Sequence, residues 1–178
     1  VYKRQIQLIN QSGVENLSLA ALAEQLGVRP PSLYNHIEGL DGLLQDITLK
    51  GLKQLTDALQ SAVMGRAGYD ALVALAIAYR QFAVENPGLY ALTLRSTEQE
   101  RPELQAAGRD AVNVALAVFR GYGLEGDAAL HATRCLRSAL HGFVTLEAAG
   151  GFALPTDLSK SFEHLLQTLD CGFRTIFQ

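Results

Sequence analysis

The sequence predicts an all-α protein: a three-helix N-terminal head on a larger C-terminal body of long helices. Three observations predict it. Apolar residues recur at three- and four-residue spacing along nearly the whole chain, while no segment alternates long enough for a half-buried strand. Glycine or proline marks each interruption of that periodicity. Hydrophobic residues make up 48% of the 178 residues, enough to bury a sizeable core.

The first helix is expected over residues 2–12, with Ile6 and Ile9 turned inward and Gly13 placed for a left-handed cap. Ser18 suits the N-cap of a second helix that ends near Leu26, where Gly27 breaks it. Pro30 and Pro31 open a third helix, where their missing N–H groups cost nothing; it ends near Ile37, and Gly39 follows. A long helix starts at about Leu40, with Leu40, Leu44, Ile47, Gly51, Leu55 and Leu59 on one face and Gly65 and Gly68 at its end. The next spans residues 70–86 and stops at Pro87. A short helical piece, 88–94, leads into a polar loop, 96–102. Another helix covers 103–121, and a turn covers 122–126. Two long helices, 127–149 and 156–177, close the chain, separated by Gly150, Gly151 and Pro155. The change from short to long helices near Gly39 divides the chain into 1–39 and 40–178.

The informative stretch runs from Leu17 to Leu44. Two short helices meet at Gly27, and Ala23, four residues earlier, is small enough to let the second helix cross closely. Leu22, Leu26, Val28, Leu33 and Ile37 supply a buried side. This pattern fits a helix-turn-helix, although a helical hairpin in a core shows the same spacing. The outer side of the second helix separates the two. Arg29, Ser32, Tyr34, Asn35 and His36 are all hydrogen-bonding types. Arginine and asparagine can read guanine and adenine edges with two hydrogen bonds, and a helix N-terminus suits phosphate.

Residues 28–44, VRPPSLYNHIEGLDGLL, resemble the recognition helix and following turn of the tetracycline-repressor (TetR) family. The resemblance extends to Gly13, Leu17, Ser18, Leu19 and Ala23. It implies that Ser18, Ser32, Tyr34 and His36 contact phosphate, and that Arg29, Pro31 and Asn35 face bases of a double-stranded operator. Many members carry lysine just after the turn, where this chain has Leu40. Residues 1–53 hold five basic and five acidic side chains, so the head has no net charge. Affinity for DNA is therefore expected to rest on placed contacts, helix dipoles, dimerisation or a basic arm upstream of Val1.

The last two helices carry apolar stripes. Leu158, Phe162, Leu165, Leu166, Leu169, Phe173 and Ile176 mark one; Leu136, Leu140, Phe143 and Val144 mark the other, beside a small strip of Ser138, Ala139, Gly142 and Ala149. The family pairs these two helices with their copies in a homodimer. The candidates for that interface are Leu136, Ala139, Leu140, Phe162, Leu166, Leu169 and Phe173, although the same stripes can fill one chain's core. Residues 78–90 and the run Leu140, His141, Gly142, Leu146 and Glu147 resemble the subtype with a C-terminal Trp-His-Gly (WHG) domain, with Leu140 in place of the tryptophan. Regulators of this kind hold an effector among the body helices. The lining expected here is Tyr79, Phe82, Tyr90, Leu94, Phe119, His141 and Phe143, suited to a small, largely apolar molecule with a few polar anchors.

Other classes find little support. His131 and Cys135 share a helix face, but His141 lies off it and no third metal ligand is evident. No phosphate loop, HExxH or GxSxG motif is present, so neither catalytic residues, a metal nor a cofactor is expected. Two cysteines without ligand-like spacing suggest free thiols in a reducing compartment. No apolar run reaches the length of about 20 residues that a membrane helix needs. The expectation is a cytoplasmic, effector-released repressor. The alternative is a helical protein-interaction module whose head no longer binds DNA.

Overall fold

Among the described residues the secondary structure is helical, with no strand. The computed structural model describes Ile6, Ile9 and Asn10, residues 39–94 and residues 101–176. From Gly39 on, six helices follow one another among the described residues: α1 Gly39–Val63, α2 Gly68–Glu85, α3 Pro87–Thr93, α4 Pro102–Arg120, α5 Gly126–Ala148 and α6 Leu158–Ile176. Each expected helix from residue 40 onward is present, with ends that differ by one or two residues.

Local chemistry explains where the helices begin. Gly39 has φ +75°, a backbone conformation side chains resist, so α1 begins on the residue expected to punctuate. Pro87 occupies the first turn of α3, where it has no N–H to lose. The last helix begins later than the sequence pattern suggested. Asp157 is the reason: its Oδ1 accepts the Ser159 N–H at 2.8 Å, and its carbonyl accepts the Ser161 N–H at 3.1 Å. Such bonding makes Asp157 the cap and leaves Thr156 outside.

The buried side of α1 also differs from the expected one. Leu43, Ile47, Gly51, Leu55 and Leu59 are buried, whereas Leu40 and Leu44 are only half-buried. A strict four-residue step advances about 40° around a helix. The stripe therefore turns around α1 instead of running straight along it.

The chain divides into two compact units, Val1–Gln54 with Glu85–Gly108 and Leu55–Val84 with Arg109–Gln178. In the first, Ile9, Leu43, Ile47, Leu89 and Leu92 are almost fully buried. In the second, Leu72, Phe119, Ala132, Leu136, Leu140 and Leu166 form the core. No helix among the described residues is long and apolar enough to cross a membrane.

Candidate functional site

The expected DNA-contacting residues, Ser18, Arg29, Pro31, Ser32, Tyr34, Asn35 and His36, lie outside the described residues. The segments on either side of them are described, and both pack on α3. Upstream, the Asn10 Oδ1 accepts the backbone N–H groups of Gly88 at 3.0 Å and Leu89 at 3.1 Å. Asn86, the residue at the N-cap position of α3, makes no side-chain cap of its own. Downstream, Gly51 of α1 lies so close to α3 that a Cβ there would fall 2.8 Å from Leu89 Cδ1. On α1, Gln45 and Asp46 also accept hydrogen bonds from Arg101, at 3.0 and 2.6 Å.

The expected effector residues separate into groups. Tyr90 is buried and Leu94 half-buried, and both belong to the first unit. Tyr79, Phe82, Phe119 and Phe143 are buried and His141 half-buried in the second. Within it, two aromatic clusters form. Phe143 packs against Phe152 and Phe162, with ring centroids 5.0 and 4.9 Å apart. Phe119 meets Phe173 edge-on at 4.8 Å and Tyr122 at 5.9 Å.

Each cluster has a charged neighbour that local spacing did not reveal. The Arg80 guanidinium lies 5.4 Å from the centre of the Phe143 ring and 5.0 Å from that of Phe162. It donates to both carboxylate oxygens of Glu147, from Nε at 2.8 Å and from Nη2 at 2.5 Å. Arg80 thereby holds the Glu147 carboxyl below the usual carboxylate range, while burial opposes that effect. In the second cluster the Tyr122 hydroxyl donates to Asp170 Oδ1 at 2.5 Å. Arg174 donates from Nε to both Asp170 oxygens and stands 5.1 Å from the centre of the Tyr122 ring. Burial, and then the bond to Asp170, push the Tyr122 phenol well above its ordinary value. Arg134 and Arg137, the basic pair on α5, are both exposed.

The expected interface residues are mostly inside the chain. Leu136, Leu140, Phe162, Leu166 and Phe173 are each no more than 3% exposed. Their side chains belong to this chain's own core, where they support α5 and α6 from behind. Ala139 and Leu169 are half-buried, as are Gly142, Leu165 and Gly172 nearby on the same helices. Nothing lies within 4 Å of where a Cβ would stand at Gly142 or Gly172. Among the described residues no group of three His, Cys, Asp or Glu side chains is placed to hold a metal ion.

The family model for the tetracyclin repressor-like C-terminal domain matches residues 72–169, more than half of the chain. The chain belongs to the TetR family of transcriptional regulators. The matched stretch contains α3, α4 and α5 and most of α2 and α6, and with them both aromatic clusters except Phe173. Two curated relatives agree. One is the uncharacterized HTH-type transcriptional regulator YobS of Bacillus subtilis (strain 168), 39% identical over 93% of this chain and 86% of its own length. The other is the uncharacterized HTH-type transcriptional regulator Rv0681 of Mycobacterium tuberculosis, 38% identical over 82% of this chain and 67% of its own. Among solved structures, a protein of unknown function from Rhodococcus sp. RHA1 has the same fold. It superposes with a TM-score of 0.83 at 23% identity, covering 96% of this chain and 91% of its own. The regulator FadR of Bacillus subtilis, solved in complex with stearoyl-CoA, does so with a TM-score of 0.76 at 15% identity over 96% of each chain. The segment from Leu17 to Leu44 is where the sequence pattern places the motif of the head. The match to YobS leaves too few residues uncovered to exclude that segment.

Proposed function

We propose that this TetR-family regulator is a homodimeric repressor whose head, residues 1–39, reads an operator and whose body, 40–178, responds to a small, largely apolar effector. The observation that carries this reading is the set of hydrogen-bonding side chains Arg29, Ser32, Tyr34, Asn35 and His36 in the frame of a recognition helix, in a chain that belongs to the family. Arg29, Pro31 and Asn35 face bases, while Ser18, Ser32, Tyr34 and His36 hold phosphate. Two copies meet through the outer faces of α5 and α6. Ala139 and Leu169 contribute there, joined by Gly142, Leu165 and Gly172, whose half-buried state leaves surface for a second chain.

The effector lies against the aromatic residues of the second unit, Tyr79, Phe82, Phe119, His141 and Phe143. An apolar occupant suits that lining. The fold likeness to a regulator solved with stearoyl-CoA supports the same class. Release follows only if the effector binds the DNA-competent and DNA-incompetent states with different affinities.

The experiment is fluorescence anisotropy of the full chain on DNA selected from a random-sequence pool, against scrambled DNA, across a salt series. Tight binding that weakens steeply with salt, and is lost in Tyr34→Ala and Asn35→Ala, is the expected result. Only weak binding, equal on both DNAs, overturns the repressor and favours a protein-interaction role. A long-chain acyl-CoA series added to the bound complex tests release. Acyl-CoA that binds the protein at saturation and leaves DNA affinity unchanged overturns it as an effector class.

A further inference from the structure

The segment 11–38 is bracketed in sequence by Asn10 and Gly39, and the described elements on both sides of it dock on one short helix. α3 begins at Pro87, and two of its first free N–H groups, at Gly88 and Leu89, are taken by the side chain of Asn10, 78 and 79 residues away in sequence. Helix termini leave such groups unsatisfied unless something caps them. The usual provider of the cap is the residue just before the helix, yet Asn86 makes no side-chain capping bond. The joint is tight as well as polar. A Cβ at Gly88 would stand 2.3 Å from the Ile9 carbonyl oxygen, so only glycine lets the two backbones come this close. Ile9 itself is 1% exposed. On the other side of the bracketed segment, α1 packs Gly51 on Leu89 and Thr93.

We infer that Asn10 is a positioning residue for operator binding. Its side-chain oxygen caps α3 and so fixes the attitude of the helical segment that leads into the helix-turn-helix. The inference rests on the repressor reading above, because it needs a head that reads DNA. A cap supplied from a distant element does two things at once. It stabilises α3, and it ties Ile9 and Asn10 to α3 at a defined distance and angle. A hydrophobic contact by Ile9 alone would resist separation but would leave sliding and rotation nearly free. Two hydrogen bonds to adjacent N–H groups restrict both, because their geometry is directional. In a dimer, any loosening of this joint broadens the distribution of distances between the two recognition helices. Half-site spacing is the property that reads that distance.

The test compares the full-length wild type with Asn10→Ala and Asn10→Asp. The probe is DNA selected from a random pool by the wild type, with versions lengthened or shortened by one base pair between half-sites. Asn10→Asp keeps an oxygen acceptor at the N-terminal end of α3, whereas Asn10→Ala has none. Asn10→Ala is expected to weaken binding to the native spacing by about tenfold, the size of one lost cap. It should also flatten the preference over altered spacings and leave the salt slope unchanged. Asn10→Asp should restore the preference. A thermal melt of each variant separates this from simple unfolding, with binding measured well below each midpoint. If Asn10→Ala lowers the midpoint but keeps the wild-type spacing preference, Asn10 is merely structural and the inference is overturned. If Asn10→Asp behaves like Asn10→Ala, the acceptor is not what matters, and the inference is overturned too. If the wild type selects no DNA, the repressor reading itself fails, an outcome distinct from both.

Discussion

Arg80 of α2 and Glu147 of α5 form a two-point ion pair although 67 residues separate them in sequence. Their side chains are only 21% and 19% exposed, and the arginine also covers the faces of Phe143 and Phe162. The pair thus joins three elements, α2, α5 and α6, at one point. An exposed ion pair adds about 0–1 kcal/mol, because water competes and two flexible side chains must be held. Here the planar guanidinium is already seated on two rings, so less freedom is lost when it pairs. Arg80→Met keeps most of the contact with the rings but strands a largely covered carboxylate. It should destabilise the chain by about 1–3 kcal/mol in urea unfolding. The double variant Arg80→Met/Glu147→Leu should recover most of that loss, since the stranded charge is gone. A double variant less stable than either single one would show that packing, not charge, holds the three helices.

Acidification should act on the same pair in a definite direction. Glu147 titrates below its ordinary value in the folded chain, first because Arg80 donates to its carboxylate. A carboxylate with a depressed folded value contributes stability above its unfolded value of about 4.3 and loses it as pH falls through the folded value. The stability difference between wild type and Glu147→Gln should therefore stay level above about pH 5 and shrink in more acidic solution. Urea titrations at successive pH values measure it. A difference that widens on acidification would contradict the assignment.

Tyr122 provides the corresponding test at alkaline pH. Its phenol is pushed up by burial and by the bond to Asp170, so the neutral form is the one the fold accommodates. Stability from this group is fully present below the ordinary phenol value of about 10 and is lost as pH rises through the folded value. Tyr122→Phe keeps the ring against Phe119, Phe173 and Arg174 but leaves Asp170 one donor short. A cost of about 1–2 kcal/mol near neutral pH is expected. Ultraviolet titration should show one tyrosine fewer among those resisting ionisation. Asp170→Asn should bring the Tyr122 midpoint down toward the ordinary value, and no movement would exclude Asp170 as a cause.

The sequence made the long helices legible because their punctuation is chemical. Pro87 stops α2 and opens α3, and Gly39 adopts a φ of +75° at the start of α1. The faces were less legible. Leu40 and Leu44 share the spacing of Leu43 and Ile47, and only packing decides which pair turns inward. Leu136, Leu140 and Phe162 were readable as apolar stripes, but a stripe does not say whether its partner is the same chain or a copy. The structure buries them in this chain. Long-range contacts were not legible at all. Nothing in the local pattern around Arg80 points to Glu147, nor around Asn10 to Gly88, because each pair exists only once distant helices meet. The family resemblance was carried by Leu33, Tyr34 and His36 and their neighbours, a compact motif that needs no tertiary contact to be read.

Two glycines should respond in opposite ways to added bulk, and together they test how the helices are used. Gly88→Ala places a methyl group against the Ile9 carbonyl, a backbone atom that cannot step aside like a side chain. Alanine is the better helix former by about 1 kcal/mol, yet overpacking of this kind costs about 1–3 kcal/mol. Net destabilisation is expected in urea, with the amides of Ile9 and Asn10 losing protection in hydrogen exchange. Gly142 has open space where its Cβ would stand, so Gly142→Leu should leave the unfolding of the single chain unchanged or improved. In a dimer formed through the outer faces of α5 and α6, the same leucine occupies the place of the approaching helix. Sedimentation equilibrium should then show a dimer dissociation constant raised by at least about tenfold, a change of roughly 1.4 kcal/mol. The two faces make separable demands on glycine, one for room inside the chain and one for room outside it. If Gly142→Leu leaves dimerisation intact, the chains meet on some other surface. The exposed Ile77 and Val84 of α2 would then be the next positions to substitute.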